Sequence, residues 1–536
     1  MAGTEMNGVN HIAILPVLVP LLAIIANILL GDQRAKSRVL GLNIGFSGLL
    51  LAVSAMLFAL QFGAEGIATA VYPLGNWPVP FGIVLVADRL AALMVLTTSI
   101  LAMAVMLFAS ARWYRRGTNF FPLFHALTMG LNGAFLTGDL FNLFVFFELL
   151  LAASYGLVLF GGGRNQVRAA LHYIAINLVA SFLFLIGVAL IYGSTGTLNM
   201  ADIARALPAI AAEDRGLFEA GAAVLGIAFL IKAGAWPLHF WLPNTYSVAP
   251  PPVAAMFAIM TKVGFYAILR LWTLVFAGGT AEEAAFGQAV LLVLGFATLA
   301  YGSVGVLSCK SLDRLASYLI LVSAGTLLLS VGYNDPGVTG GGLYYAVVAT
   351  LAAGALFLLK DILDQILPSE AQVLAVSLEL YGDEEEELDE DQEVSRTIPA
   401  AATIVSLCFV VVGLIMAGLP PLSGFLAKFA MISSAFSADD APTAATWWFM
   451  GAMVGSGLLV LVSMVRNGIN IFWVSLPEGD IRLRPMEIAP VVVLLLLCLL
   501  MAVAAGPVLE AMTETAMALH TSAPYVEAVF AGGEAQ

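Results

Sequence analysis

Residues 228–252 read AFLIKAGAWPLHFWLPNTYSVAPPP. An apolar run carries a lysine, Lys232, and then meets Pro237 and Pro243. Proline removes a backbone donor and kinks or ends a helix. In hydrocarbon the freed groups must be satisfied by protein or water, so a broken helix marks a cavity. The theme recurs at 414–432, LIMAGLPPLSGFLAKFAMI, where Pro420, Pro421 and Gly424 precede Lys428. Interrupted helices at corresponding places in two halves point to a transport site built from inverted repeats.

Working outward, two more ionisable residues lie in apolar surroundings: Glu148 in LFNLFVFFELLLAASYGLVLF and Lys262 in AAMFAIMTKVGFYAIL. Such residues cost a few kcal/mol or more at membrane depth, so they normally have a partner or a task. The whole chain fits that setting. Of 536 residues 61% are hydrophobic and 11% charged, against roughly 25% charged in a soluble domain. This predicts an all-α polytopic membrane protein. About fourteen apolar spans are expected, at 10–31, 39–61, 88–110, 118–138, 140–161, 168–194, 219–247, 251–275, 285–308, 314–333, 341–365, 399–436, 445–474 and 487–508. The opening MAGTEMNGVN lacks a basic region, so the first apolar run reads as a span and not as a cleaved signal.

Basic residues collect in alternate loops: Arg34, Lys36 and Arg38; Arg112, Arg115 and Arg116; Arg164 and Arg168; Lys310 and Arg314; Arg466, Arg482 and Arg484. By the positive-inside rule those loops are cytoplasmic, and both termini then face outside, which requires an even number of spans. The net charge of −14 says little about partners, since nine acids fall between Asp383 and Glu393. The segment 366–397 reads as a solvated cytoplasmic tether, because like charges repel and stay extended. A cation-attracting strip or a docking strip for a basic partner is the sharper alternative.

The expected chemistry is proton transfer. A carboxylate at Glu148 near an ammonium at Lys232 keeps both charged, and removing one partner frees the other to change protonation. Lys262 lies too deep for comfortable snorkelling and is expected to border water. Two charges about 8 Å apart at an effective dielectric near 20 interact by roughly 2 kcal/mol, enough to push a proton onward. Helix ends add partial charge, so the first half-helix end is expected to favour charged Lys232 and the second neutral Lys428. His239 is either a relay between Lys232 and Lys262 or a satisfied core histidine. His125 and His172 are expected to bond locally, and Lys360 with Asp361 reads as an interfacial pair.

Other classes find no footing. Cys309, Cys408 and Cys498 are scattered, with neither disulfide nor metal-ligand spacing. The glycine clusters follow no strand, so they make no nucleotide fingerprint. No nucleophile triad, cofactor motif or nucleic-acid surface is expected; the residues themselves point to membrane lipid and protons as partners.

TGDLFNLFVFFELLLAASYGLVLF, YGSTGTLNMADIA, LIKAGAWPLHFWLPNTYSVAPPPVAAMFAIMTKVGFYAILR and AGLPPLSGFLAKFAMI closely resemble the D subunit of the Mrp-type (Pha/Mnh) multisubunit cation/proton antiporters. That family is similar to the antiporter-like subunits of respiratory complex I. The resemblance implies two inverted five-helix repeats, with the seventh and twelfth spans discontinuous. The divisions it suggests are a leading segment 1–117, repeats at 118–277 and 285–474, and a final helix and tail at 487–536. It carries a proton path onto Glu148, Lys232, Lys262 and Lys428. It further implies a six- or seven-subunit complex in a bacterial inner membrane that exchanges Na⁺ or K⁺ for protons, a secondary transporter and not an enzyme. Two departures stand out: Asn244 where relatives often have an acid, and an eleventh span with only Thr350 and tyrosines as polar candidates. The alternative is a proton-pumping membrane subunit of a redox complex; a non-transporting scaffold is a third.

Overall fold

Long apolar segments leave few choices for a backbone in lipid: only a helix satisfies its own polar groups within one segment. The computed structural model describes residues 10–30, 36–63, 69–113, 119–276, 287–366, 400–438, 442–472 and 484–534. Among them helices dominate: α1 (Leu15–Leu29), α2 (Lys36–Phe62), α3 (Arg89–Arg112), α4 (Phe120–Leu136), α5 (Leu140–Val158), α6 (Arg164–Thr195), the short α7 (Met200–Ala206), α8 (Ala212–Ala233), α9 (Trp241–Val248) and α10 (Pro251–Leu271). The second half continues with α11 (Gln288–Ser308), α12 (Leu312–Gly332), α13 (Pro336–Ile366), α14 (Ala400–Ala417), α15 (Ser423–Ser437), α16 (Ala444–Phe472), α17 (Pro485–Val503), α18 (Ala505–His520) and α19 (Ser522–Glu534). Eleven helices among the described residues are long and apolar enough to cross a membrane, and three shorter apolar ones accompany them.

The bundle has a centre. In α10, α12 and α13 nearly every residue is buried, whereas α2, α6, α11, α16 and α17 each expose one apolar face. A helix that is apolar and buried all round belongs inside. Lys262 is therefore carried by the innermost kind of helix in the chain.

The protein is not wholly helical. Between α2 and α3, β1 (Ala70–Pro73) and β2 (Val84–Ala87) pair antiparallel, Ala70 opposite Ala87. That hairpin was not legible as strands, being short and embedded in a loop. The tail after residue 508 is also ordered into helix: α18 and α19 pack beneath the α3 and α10 ends, where Arg270 faces the Tyr525 ring at 5.0 Å. The acidic run Asp383–Glu393 lies outside the described residues.

The two expected breaks fall inside their long spans. α8 stops at Ala233, and Gly234 takes a left-handed conformation (φ 73°). The Gly234 N–H donates to Ile231 O at 3.1 Å and the Ala235 N–H to Leu230 O at 2.9 Å. α14 stops at Ala417, Gly418 is left-handed (φ 76°), and its N–H donates to Ile415 O while the Leu419 N–H donates to Leu414 O, both 3.1 Å. This pair of crossing bonds around a left-handed glycine is a Schellman cap. Both breaks use it at the same register, and the prolines then prevent the helix from resuming.

Candidate functional site: buried lysines around two helix breaks

Lys232 occupies the residue before the α8 terminus and is 6% exposed. Its Nζ has no hydrogen-bond partner and lies 5.6 Å from the centroid of the Phe147 ring. Phe147, Phe184 and Phe229 form an aromatic cluster that joins α5, α6 and α8. The carboxylate next to Phe147, Glu148, is half-buried and accepts a hydrogen bond from the Ser181 hydroxyl of α6. The expected Glu148–Lys232 contact pair is not formed. The two groups belong to one neighbourhood, but an aromatic face stands over the ammonium and a hydroxyl holds the carboxylate. Ser181 and Phe147 were missed as partners because they meet the site only through packing of α5 against α6 and α8.

Lys262 is 1% exposed and its Nζ likewise has no hydrogen-bond partner. One half-turn on, Gly264 lies against the end of α8: a Cβ there would fall 2.5 Å from the Ala233 nitrogen. Only glycine allows that approach, and it brings the stretch carrying Lys262 directly against the residue that follows Lys232. An amine buried without a protein partner needs water or a passing charge to carry a proton.

Lys428 is different. It lies on α15 after the second break, and its Nζ donates to Ala417 O and Met453 O, both 3.4 Å. Ala417 is the last residue of α14, so the ammonium reaches back to the carbonyl end of the preceding half-helix. The expected opposition of helix ends is therefore overturned: Lys232 by position and Lys428 by reach both address a C-terminal, electronegative end. Glycines make the room. A Cβ at Gly418 would sit 3.0 Å from Lys428 Cδ, and one at Gly457 would sit 3.2 Å from Nζ.

Buried hydroxyls also lie where α12 meets α13. Tyr345 of α13 is buried with its hydroxyl beside Thr326 and Ser323 of α12. One turn earlier, Gly341 packs on Met431 of α15, where a Cβ would be 2.7 Å from Cγ. Thr350, the other polar candidate, spends its hydroxyl on Ala346 O of its own helix at 2.6 Å, as Thr326 does on Val322 O at 2.9 Å, whereas the Ser323 hydroxyl has no hydrogen-bond partner. Ser323 and Thr326 were missed because hydroxyls in an apolar helix read as ordinary packing residues.

The histidines fall differently from expectation in two cases. His239 lies in the first break with its ring 4.1 Å from that of Tyr301 on α11; neither ring nitrogen has a hydrogen-bond partner, so it bonds to neither lysine. His125 bonds across helices to Asn43 at 2.8 Å, and Asn43 in turn pairs with Asn27. Lys360 does not pair with Asp361: it bridges Asp313 (2.7 Å) and Asp364 (2.5 Å), while Asp361 accepts from the Trp113 indole. A bidentate pair unseen in the sequence, Asp88 with Arg270 at 2.6 and 2.7 Å, ties the start of α3 to the end of α10. No cluster of three or more metal-ligating side chains exists among the described residues.

Residues 137–459 match the family model described as NADH:quinone oxidoreductase/Mrp antiporter, transmembrane. The chain is 49% identical over 517 residues, 95% of each chain, to the D subunit of a probable K⁺/H⁺ antiporter from Rhizobium meliloti. It is 34% identical to the D subunit of a Na⁺/H⁺ antiporter from Alkalihalophilus pseudofirmus, covering 97% of this chain and 99% of that one. Among solved structures, a chain of the Mrp complex from Dietzia sp. superposes with a TM-score of 0.79 at 25% identity, over 97% of this chain and 99% of that chain.

Proposed function

Because this chain belongs to the NADH:quinone oxidoreductase/Mrp antiporter family of transmembrane proteins, we propose that it is the proton-translocating large subunit of a multisubunit monovalent cation/proton antiporter. One observation carries the antiporter reading over a redox-driven pump: near-full-length identity of 49% to the D subunit of an antiporter. The relatives' names divide between K⁺ and Na⁺. The exchanged cation is one of these two, in a bacterial inner membrane with both termini outside and the acidic segment cytoplasmic.

The proton path runs through Glu148, Lys232, Lys262 and Lys428, across two inverted repeats at 118–277 and 285–474 in a fourteen-span subunit. Glu148 collects the proton and Lys232 receives it at the first break. Lys262 takes it at the centre, and the hydroxyls of Tyr345 and Ser323, with water, link it to Lys428 at the second break. The unpartnered Nζ atoms of Lys232 and Lys262 support this: a static structural lysine would be given an acceptor. His239, turned to Tyr301, has no place in the route.

Everted vesicles containing the whole complex test the reading. Proton movement on adding Na⁺ or K⁺ is compared for the wild type, Glu148→Ala and Lys232→Ala. Loss of exchange in both variants with the complex assembled is expected; undiminished exchange places the route in another subunit.

A further inference from the structure

The chain from α11 into α12 turns at Cys309–Ser311, and a cleft of about 480 Å³ opens there. Its polar lining is Tyr301, Ser308, Lys310, Ser311, Arg314 and Tyr318. Lys310 and Arg314 are exposed and form no ion pair among the described residues, in contrast to neighbouring Asp313, which Lys360 takes at 2.7 Å. A third cation lies nearby, outside the cleft lining: Arg466 of α16 donates to Cys309 O at 2.5 Å. Burial pushes the Cys309 thiol up while Arg314 and Arg466 pull it down, which marks a local positive field. Ser311 precedes α12 without capping it, so its hydroxyl is not spent on the helix.

The other wall is apolar and faces outward. Val304 is 61% exposed, and Val293 and Val290 continue up the same outer side of α11. A soluble anion has no use for such a wall, whereas a phospholipid presents a phosphate and acyl chains together. Basic pockets beside membrane helices suit anionic lipid headgroups.

The cleft also touches the first break. Tyr301 carries the His239 ring at 4.1 Å, and the Trp236 N–H donates to Thr298 Oγ1 of α11 at 2.8 Å. The segment between α8 and α9 therefore leans on the helix that forms the cleft.

We propose that this cleft binds the phosphate headgroup of an anionic membrane phospholipid, with acyl chains along the outer face of α11, and that the bound lipid braces the first helix break through Tyr301. Lys310 and Arg314 hold the phosphate oxygens, assisted by the tyrosine and serine hydroxyls. The bracing rests on the proposed role of that break; the binding does not.

The test uses the whole complex. Native mass spectrometry counts phosphatidylglycerol retained after detergent extraction, and exchange is measured in phosphatidylcholine vesicles with and without phosphatidylglycerol, in the presence and absence of inorganic phosphate. The wild type is expected to retain phosphatidylglycerol and to exchange faster when it is present. Lys310→Gln/Arg314→Gln is expected to weaken retention on the order of thirtyfold, about fivefold per cation. Its exchange should stay at the wild-type phosphatidylcholine level in both vesicles. Ser308→Asp, which keeps both cations but adds a carboxylate, gives the same readout if the double variant fails to assemble. Equal retention in wild type and variants overturns the site. Displacement of the lipid's effect by inorganic phosphate shows a free-anion site and overturns the lipid assignment. Retention lost with the vesicle response intact overturns the bracing alone.

Discussion

The two helix breaks are built alike and used differently. Each ends a half-helix with a left-handed glycine and the same pair of crossing backbone bonds, at Gly234 and Gly418. Each leaves carbonyls near the terminus that an outside donor can use. At the first break that donor is an indole: Trp241 Nε1 reaches Ile231 O at 3.2 Å, and Lys232 remains without a hydrogen-bond acceptor. At the second it is the lysine itself, Lys428 to Ala417 O. One cap thus accompanies a lysine without a hydrogen-bond acceptor and a lysine tied to a helix end. Where the donor comes from decides which.

Replacing each lysine by methionine separates stability from transport and should give the largest effects. Both variants are expected to lower exchange about a hundredfold or more, the scale of losing a positioned proton carrier. Their stabilities should diverge. Lys428→Met strands one buried carbonyl acceptor, Ala417 O, since Met453 O also accepts from Ser456 Oγ, and should cost about 1–3 kcal/mol. Lys232→Met removes a buried amine with no hydrogen-bond acceptor, losing only its contact with the Phe147 face, and should be neutral to about 2 kcal/mol stabilising. Denaturation midpoints of the purified complex, measured beside exchange, check this. Equal destabilisation would mean that Lys232 has an acceptor after all.

The two breaks and their lysines were readable from the chain, for identifiable reasons; the contrast between them was not. Proline and glycine act on their own backbone, so WPLHFWLP and GLPPLSG announce breaks without knowledge of any neighbour. A lone lysine among leucines and phenylalanines is similarly conspicuous. The sequence order did not reveal who meets whom. The carboxylate of Glu148 goes to Ser181, 33 residues on, and Lys428 reaches back over a turn to Ala417. The Asp88–Arg270 pair joins residues 182 apart. The hairpin at 70–87 escaped because four-residue strands carry almost no periodic signal.

Adding one methyl group to each capping glycine gives a middle-sized effect and sharpens the comparison. A left-handed alanine costs roughly 1–2 kcal/mol. Both Gly234→Ala and Gly418→Ala should lose about that much in thermal denaturation. The neighbours differ, however. At Gly234 the new Cβ meets a Leu242 methyl at 2.8 Å, the end of a flexible side chain. At Gly418 it meets Lys428 Cδ at 3.0 Å and Cε at 3.3 Å, pushing the amine off its carbonyls. Exchange should therefore fall several-fold in Gly418→Ala and stay near wild type in Gly234→Ala. Equal losses in both would show that the caps act through the backbone alone.

The smallest effect is expected from Trp241→Phe. Trp241 stacks on Tyr173 with ring centroids 5.2 Å apart, and phenylalanine keeps an aromatic ring there while deleting the indole donor. Ile231 O still accepts from the Gly234 N–H, so no carbonyl is orphaned and the cost should be about 0.5–1.5 kcal/mol, the net value of one hydrogen bond. Exchange should remain within about twofold of wild type, because the indole holds the helix end and not the amine. A large loss of exchange with unchanged stability would reverse that assignment. Keeping Ile231 O engaged by Trp241 would then be what denies Lys232 an acceptor, and the difference between the two breaks would reside in a single side-chain N–H.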